Sequence, residues 1–403
     1  MSMQSGNGTK VTSEGTRRVC VWREELLPGS ETFILNQTHA LARWRPVLSG
    51  VRTCPGGLAV TPDFTLEGDG GLADRLDRGI YWRAGSSVRL DRHLRSTSLV
   101  HAHFGPDGAG VVRAARWARR PLIVTFHGYD ATVPAATLGV DYSSLFREAA
   151  RLIAVSQSIG RKLAEAGAPE VKIAVLPIGI PLTPGGVARN PGRHILFVGR
   201  LVPKKGCADL LRALTSIDCA PPLLVIGEGP LRGELERLAQ SLRVDARFVG
   251  ARGSEYVAQA MAASIAVCLP SQTAANGDQE GLPIVVLEAG AAGVPVVSYV
   301  SAGIPEAVVH GETGLLAPEG DVAGLALHLT AVVRDAELAT RLGAAARRRV
   351  HKHYDITART VELEKLYDQV VEEGMRRRRR YHRQPMYDGR ARRPRRRASE
   401  ERG

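Results

Sequence analysis

The sequence predicts an α/β protein made of two doubly wound, Rossmann-like domains. Three observations predict it. Short apolar runs of strand length alternate with helical segments, which implies parallel sheets with right-handed crossovers. The alternation runs from Val19 to Leu176, stops at a Pro/Gly-rich stretch, and restarts at His194. A length of 403 residues is too great for one ordinary domain, whereas two domains of roughly 150–200 residues each would account for it.

Val19-Cys20-Val21-Trp22 reads as the first strand. Leu27 to Ile34 reads as a turn with capping residues that opens a helix, expected to reach about Trp44. Pro46 to Val51 is the second strand. Residues 52–97 are the least legible, rich in Gly and Arg, with helices expected near 71–83 and 85–95. Leu99 to Gly105 and Leu122 to Gly128 are strands on either side of a helix over 107–119. Leu152 to Ser156 is a strand leading into a capped helix to about Ala166, and Lys172 to Leu176 closes this half. Pro181 to Gly192 carries the breakers of a linker. Strand runs follow at 194–199, 223–226, 247–249, 265–269 and 294–298. Two amphipathic helices are expected over 321–334 and 335–350. A third, over 356–374, carries Val361, Leu363, Leu366, Tyr367, Val370 and Val371 at helical spacing. The expected division is a disordered start 1–16, a domain 17–180, a linker 181–193, a domain 194–350, a C-terminal crossover helix in 351–374 and a disordered basic tail 375–403.

Composition excludes several classes. The five cysteines (Cys20, Cys54, Cys207, Cys219 and Cys268) are scattered and form no C-x-x-C pair. That argues against a disulfide framework or zinc site and for a reducing cytoplasm. Residues 1–16 are polar and show no signal sequence. The longest apolar run, Leu282 to Val297, is interrupted by Glu288, Gly290, Gly293 and Pro295, which rules it out as a membrane span. The net charge of +13 is concentrated in residues 374–403, where thirteen arginines face Asp388, Glu400 and Glu401. That stretch carries +10, leaving about +3 for the rest, so no specific nucleic-acid surface is expected on the folded body. The tail could meet an anionic lipid surface, bind nucleic acid non-specifically, or remain a solvated extension.

The candidate site is built around Gln279 to Ala289. It reads as a loop becoming a helix, with Pro283 at the first helical position. The free N–H groups of such a helix start attract anions. Glu280 and Glu288 bracket it. Two acids beside a phosphate-binding helix start suit a ligand that also offers hydroxyls, and equally a buried helix with incidental acids. Ligands of doubly wound sheets lie beyond the carboxyl ends of the strands. That brings the loops after His103, His127 and Gly199 to the same cleft as Glu280. In Gly199-Arg200-Leu201-Val202-Pro203-Lys204-Lys205-Gly206, Arg200 and Lys205 could grip a diphosphate or be solvated loop cations. Gly227-Glu228-Gly229-Pro230 could take a base or ribose edge, or be a tight turn. His127 could project into the cleft or be structural. His101 and His103 share a strand face, but no Cys, Asp or Glu accompanies them at ligand spacing, so no metal is expected there. No D-x-D pair occurs, and neither a dinucleotide nor an ATP glycine motif stands in the right context.

Taken together, these segments resemble the retaining glycosyltransferases of family 4, which have the GT-B fold. The resemblance rests on Ser30-Glu31-Thr32-Phe33, His101-Ala102-His103-Phe104, Thr125 to Asp130, Gly199-Arg200 with Lys205-Gly206, Gly227 to Pro230, Glu280 to Ala289, and Gly303 to Glu306 with Gly311 to Gly314. Within the family, the chain is most similar to bacterial exopolysaccharide enzymes of the colanic-acid type. The resemblance implies an acceptor-binding first domain and a donor-binding second domain, with a nucleotide diphosphate sugar as co-substrate and neither cofactor nor metal. Arg200 and Lys205 would hold the diphosphate, and Glu288 the ribose. Glu280, with the N–H groups of Gly281 and Leu282, would bind the transferred sugar. His127 would contact the sugar and, through its carbonyl, the charge developing at the anomeric carbon. Val249, Gly250 and Pro283 would flank the base, and the Gly29-Ser30 turn would approach the phosphates from the opposite domain. The acceptor would be the hydroxyl of a sugar, a lipid-linked intermediate or a small natural product, reached from the cytoplasm or the inner membrane face. A sugar-nucleotide epimerase, a phosphorylase and an inactive binding module of the same fold are the competing readings.

Overall fold

The computed structural model describes residues 17–182 and 192–383. The expected disordered start, most of the linker and the tail beyond Arg383 lie outside the described residues. The first sheet has β1 (Arg18–Leu26), β2 (Arg45–Thr53), β3 (Phe64–Thr65), β4 (Leu99–His103), β5 (Leu122–Phe126), β6 (Arg151–Ala154) and β7 (Ile173–Val175), in the order β3-β2-β1-β4-β5-β6-β7. The second has β8 (His194–Val198), β9 (Leu223–Ile226), β10 (Ala246–Phe248), β11 (Ser264–Leu269), β12 (Val296–Tyr299) and β13 (Gly314–Ala317), in the order β10-β9-β8-β11-β12-β13. Every pairing of these strands is parallel. Parallel strands are covered by helices on both faces, which is why the runs are continuously apolar: Ile195, Leu196 and Phe197 of β8 are all fully buried. Strand order reverses between β1 and β4, and again between β8 and β11, and such reversals open crevices for ligands. The expected fold class is the one observed.

Several boundaries differ from expectation, each for a local reason. The helix expected to reach Trp44 is Thr32–His39. It stops because the buried Glu364 carboxylate accepts the backbone N–H groups of Ala42, Arg43 and Trp44, at 2.9, 2.7 and 3.1 Å. Glu31 occupies the cap position without capping, since its carboxylate is bonded to Arg23. Pro283 is the residue before its helix rather than the first within it, the helix being Ile284–Ala291. Lys205, which the sequence places at a helix start, ends a short 3-10 turn over Pro203–Lys205, and the helix Cys207–Leu214 begins two residues later. Strands β3 and β13 went unread, the one two residues long and the other four. The last helix, Ile356–Arg383, runs nine residues past the expected 374 and includes the arginines at 376–380; arginine is a good helix former. Among the described residues, no helix is long and apolar enough to cross a membrane.

That last helix belongs to the second half of the chain but packs on the first sheet. Leu363, Tyr367, Val370 and Val371 join Val19, Val21, Ile34 and Trp44 in one apolar cluster. Asp368 accepts from Arg17 and Arg43, both at 2.8 Å, and from the Trp44 indole at 3.1 Å. Arg151 reaches Glu373 at 2.8 Å. Glu364 is the polar pivot, because a charged acceptor holding three N–H groups out of water leaves all three orphaned if it is removed. Replacing Glu364 with Ala should cost about 3 kcal/mol of stability, measured as an earlier first transition in thermal unfolding. An unshifted transition would show that this contact does not hold the helix in place.

Candidate active site

A cleft of about 740 Å³ opens where the carboxyl ends of the two sheets meet. One wall comes from the first domain: Ser30, Thr32 and Phe33, then Phe104, His127 and Tyr129. The other comes from the second: Gly199, Arg200, Lys204 and Lys205 after β8, and Asp278 to Glu288 at the start of the helix Ile284–Ala291.

The two walls touch through backbone. A Cβ on Gly281 would lie 1.9 Å from the His127 carbonyl oxygen, and one on Gly303 would lie 1.8 Å from the Gly281 carbonyl oxygen. Only glycine permits that stacking. Gln279 N–H donates to the Thr132 hydroxyl at 3.1 Å. Glu306 accepts the N–H groups of Gln157 and Ser158, at 2.8 and 3.1 Å, at the start of the helix Gln157–Glu165. A carboxylate at a helix N-terminus is favoured by the helix dipole, so Glu306 is a clamp between the domains.

The cations are disposed unequally. Lys205 Nζ lies 2.9 Å from Glu280 Oε1 and Lys204 Nζ 3.9 Å from the same atom, while Lys204 also pairs with Asp278 at 2.9 Å. Burial pushes the Glu280 carboxyl up, but Lys205 and Lys204 together outweigh it and hold the group below the usual carboxylate range. Arg200 is exposed, and among the described residues no carboxylate pairs with it. Glu288 is exposed to the cleft, and desolvation by the protein around it raises its pKa.

His127 is held from three directions. Its own N–H and that of Gly128 donate to Asp130 Oδ1, at 3.0 and 2.8 Å, while Gly105 N–H donates to Oδ2 at 2.9 Å. Its Nε2 lies 3.1 Å from Nδ1 of His103, and its ring packs on Phe104 and Phe33, with centroids at 4.5 and 5.0 Å. Burial, with Arg23 and His101 nearby, drives its pKa well below 6.5, so the ring is neutral at ordinary pH. Phe104 adopts φ +69°, a conformation uncommon outside glycine, with the Arg23 guanidinium 4.5 Å above its ring. His101, weighed above as half of a metal pair, spends both ring nitrogens on Tyr367 and Thr125, at 2.6 and 2.7 Å. Among the described residues, no group of three or more His, Cys, Asp or Glu is placed to hold a metal ion.

Comparison with known proteins agrees with this geometry. Residues 29–183 match the family described as Glycosyltransferase Family 4, and residues 187–349 the one described as Glycosyl transferases group 1. The chain is 31% identical over 281 residues to the amylovoran biosynthesis glycosyltransferase AmsK of Erwinia amylovora, covering 66% of this chain and 69% of AmsK. The chain belongs to the glycosyltransferases of the group 1 and family 4 type. It is also 32% identical over 244 residues to WcaL of Escherichia coli strain K12, named for colanic acid biosynthesis, covering 57% of this chain and 60% of that protein. Among solved structures, Anabaena HepE in complex with UDP and glucose superposes with a TM-score of 0.72 at 19% identity, covering 88% of this chain and all of HepE. The fold is GT-B.

Within this glycosyltransferase, the structure gathers most of the sequence-predicted residues. Ser30, His127, Gly199, Arg200, Lys205, Glu280, Gly281, Leu282, Pro283 and Glu288 all line the cleft. Gly29 stands just outside its wall. Gly227, Glu228, Val249 and Gly250 sit beside it at the ends of β9 and β10, where Gly227 N–H donates to the Gly250 carbonyl at 2.9 Å and Glu228 pairs with Arg232. Sequence reasoning missed the residues that position others. Asp130, Glu31 and Glu306 stood inside quoted motifs without a role, and Arg23 and Asp107 were not singled out. Arg23 binds Glu31 through two nitrogens, at 2.9 and 2.7 Å, and also pairs with Asp107, all three being buried. A short strand-end motif ending in an acid two residues past a glycine was the one available signal for Asp130. Its amide analogue would turn a donor toward Gly105 N–H. Asp130→Asn should therefore lower turnover about 10- to 100-fold through misplacement of His127 while leaving nucleotide binding unchanged in calorimetry; weakened nucleotide binding would instead place Asp130 on the donor side.

Proposed function

We propose that this protein moves a sugar from a nucleotide diphosphate sugar, a UDP-sugar, to a hydroxyl acceptor with retention of anomeric configuration. The observation that carries the reading is the free Arg200 beside the Lys205–Glu280 pair, facing His127 across one cleft. A diphosphate needs cations, a sugar needs carboxylate and N–H partners for its hydroxyls, and this cleft wall supplies both. Arg200 and Lys205 take the diphosphate, with the N–H groups at the start of the helix Ile284–Ala291. As the diphosphate draws on Lys205, Glu280 is freed to accept sugar hydroxyls, with the Gly281 and Leu282 N–H groups. Glu288, further along the helix, takes the ribose. Val249, Gly250 and Pro283 flank the base, and Gly29-Ser30 closes on the phosphates from the first domain. HepE, solved with UDP and glucose, supports uridine as the base.

In the reaction, the bond from the anomeric carbon to the β-phosphate oxygen breaks and the acceptor oxygen bonds on the same face. The departing phosphate oxygen takes the acceptor proton. Negative charge grows on the diphosphate, where fixed cations in a shielded cleft stabilise it most. The His127 carbonyl, held against Gly281, faces the developing positive charge, and no metal is needed. The names of AmsK and WcaL support an acceptor in exopolysaccharide assembly. A lipid-linked acceptor would be met at the cytoplasmic membrane face, with the basic tail meeting anionic lipid. A small natural-product acceptor uses the same donor chemistry.

Arg200→Ala should lower turnover roughly 100-fold or more with the fold intact, assayed with a UDP-sugar and an acceptor extract in the presence of a chelator. Product anomeric configuration, read by NMR, should match the donor's. A sugar trapped covalently on a carboxylate, inversion, or activity restored only by a divalent ion would overturn the corresponding part of the reading.

A further inference from the structure

The helix Leu72–Ala84 has an outer face that the cleft does not explain. Its inner face buries Tyr81 against Trp22, with ring centroids 6.2 Å apart, and buries Asp77, which accepts from the Ser87 hydroxyl at 2.8 Å. Outward it carries Leu72, Leu76 and Ile80, which are 75%, 61% and 51% exposed. Their spacing of four residues makes a single ridge of about 12 Å. Trp82 and, on the next helix Val88–Arg95, Val88 are also exposed. Contiguous apolar surface of this kind marks an interaction site.

The charges sort in the same sense. The helix's two acids face inward, Asp77 buried and Asp74 paired with Arg89. Arg78 pairs with Glu67 at 3.8 Å. Arg75, Arg83 and Arg92 are exposed and, among the described residues, pair with no carboxylate. Asp69, in the turn before the helix, is also exposed. An aliphatic ridge with a tryptophan at its edge and unpaired arginines beside it combines apolar burial with attraction to negative headgroups. Arginine stems are long enough to lie along the apolar layer and keep their charge in water.

We propose that the face made by Leu72, Leu76, Ile80 and Trp82 with Arg75 and Arg83 rests on an anionic lipid bilayer, the helix lying in the plane of the surface. The unpaired arginines beside the ridge match the negative charge of such a surface. The footing of the ridge also reaches the cleft. Tyr81 donates to Glu24 at 3.2 Å, and the adjacent Arg23 holds Glu31, next to Ser30 on the cleft wall. This contact is separate from the basic tail and does not depend on the donor assignment.

The test is co-sedimentation of the full chain with vesicles of phosphatidylglycerol and phosphatidylethanolamine, with phosphatidylcholine vesicles as the neutral comparison. The wild type should bind the anionic vesicles with a blue-shifted tryptophan emission. Leu76→Gln combined with Ile80→Gln should lower partitioning about tenfold or more, with circular dichroism and transfer to a soluble acceptor unchanged. Three results would overturn the proposal. They are equal binding by wild type and double variant with loss only on removing residues 384–403, no vesicle binding by either protein, and a fall in solution mass in the double variant showing that the ridge packs against a second copy.

Discussion

The close approach of Gly281 to the His127 carbonyl is the constraint on which the site depends. A side chain at residue 281 would fall 1.9 Å from that oxygen, so the two domains can meet there only as backbone against backbone. Gly303 repeats the constraint one layer behind, against the Gly281 carbonyl. Because of this contact, Glu280 and the start of the helix Ile284–Ala291 face the histidine wall across a cleft of about 740 Å³. Glu306 and the crossing helix Ile356–Arg383 reinforce the contact from its flanks.

The first wall is kept rigid by buried charge. Arg23 binds Glu31 and Asp107 under Phe104, and breaking one partner of such a set would leave an uncompensated charge out of water. This network fixes the loop that carries Ser30. The second wall is less settled. Its lysines are occupied by Glu280 and Asp278, whereas Arg200 has no carboxylate partner among the described residues. A ligand with a diphosphate and hydroxyls exchanges one set of partners for another in place, so little of the chain has to move.

The fold and the walls of the site were legible because both rest on short, strongly patterned segments. Buried parallel strands read as continuous apolar runs, and the glycines and cations at their ends mark where loops must turn and bind. Pro283 precedes its helix by one residue and Lys205 ends a 3-10 turn instead of starting a helix, since a helix start and a 3-10 turn have similar local patterns. The positioning residues were not legible. Asp130 reads as a loop acid until Gly105, twenty-five residues earlier in the chain, is seen to donate to it, and Glu364 reads as a surface acid until the N–H groups at 42–44 are found against it. Residues 52–97 resisted reading because the helix Leu72–Ala84 turns apolar side chains outward, which blurs the period that a buried face alone would set.

In the proposed reaction, Glu280 and Lys205 are partners of one another until a donor separates their tasks. Calorimetry of UDP binding to the wild type and to Glu280→Gln, set beside their transfer rates, tests this most directly. The variant should bind UDP at least as tightly, because Lys205 is released, while transfer falls by roughly 100-fold. A variant that loses UDP binding but transfers sugar at the normal rate would contradict it.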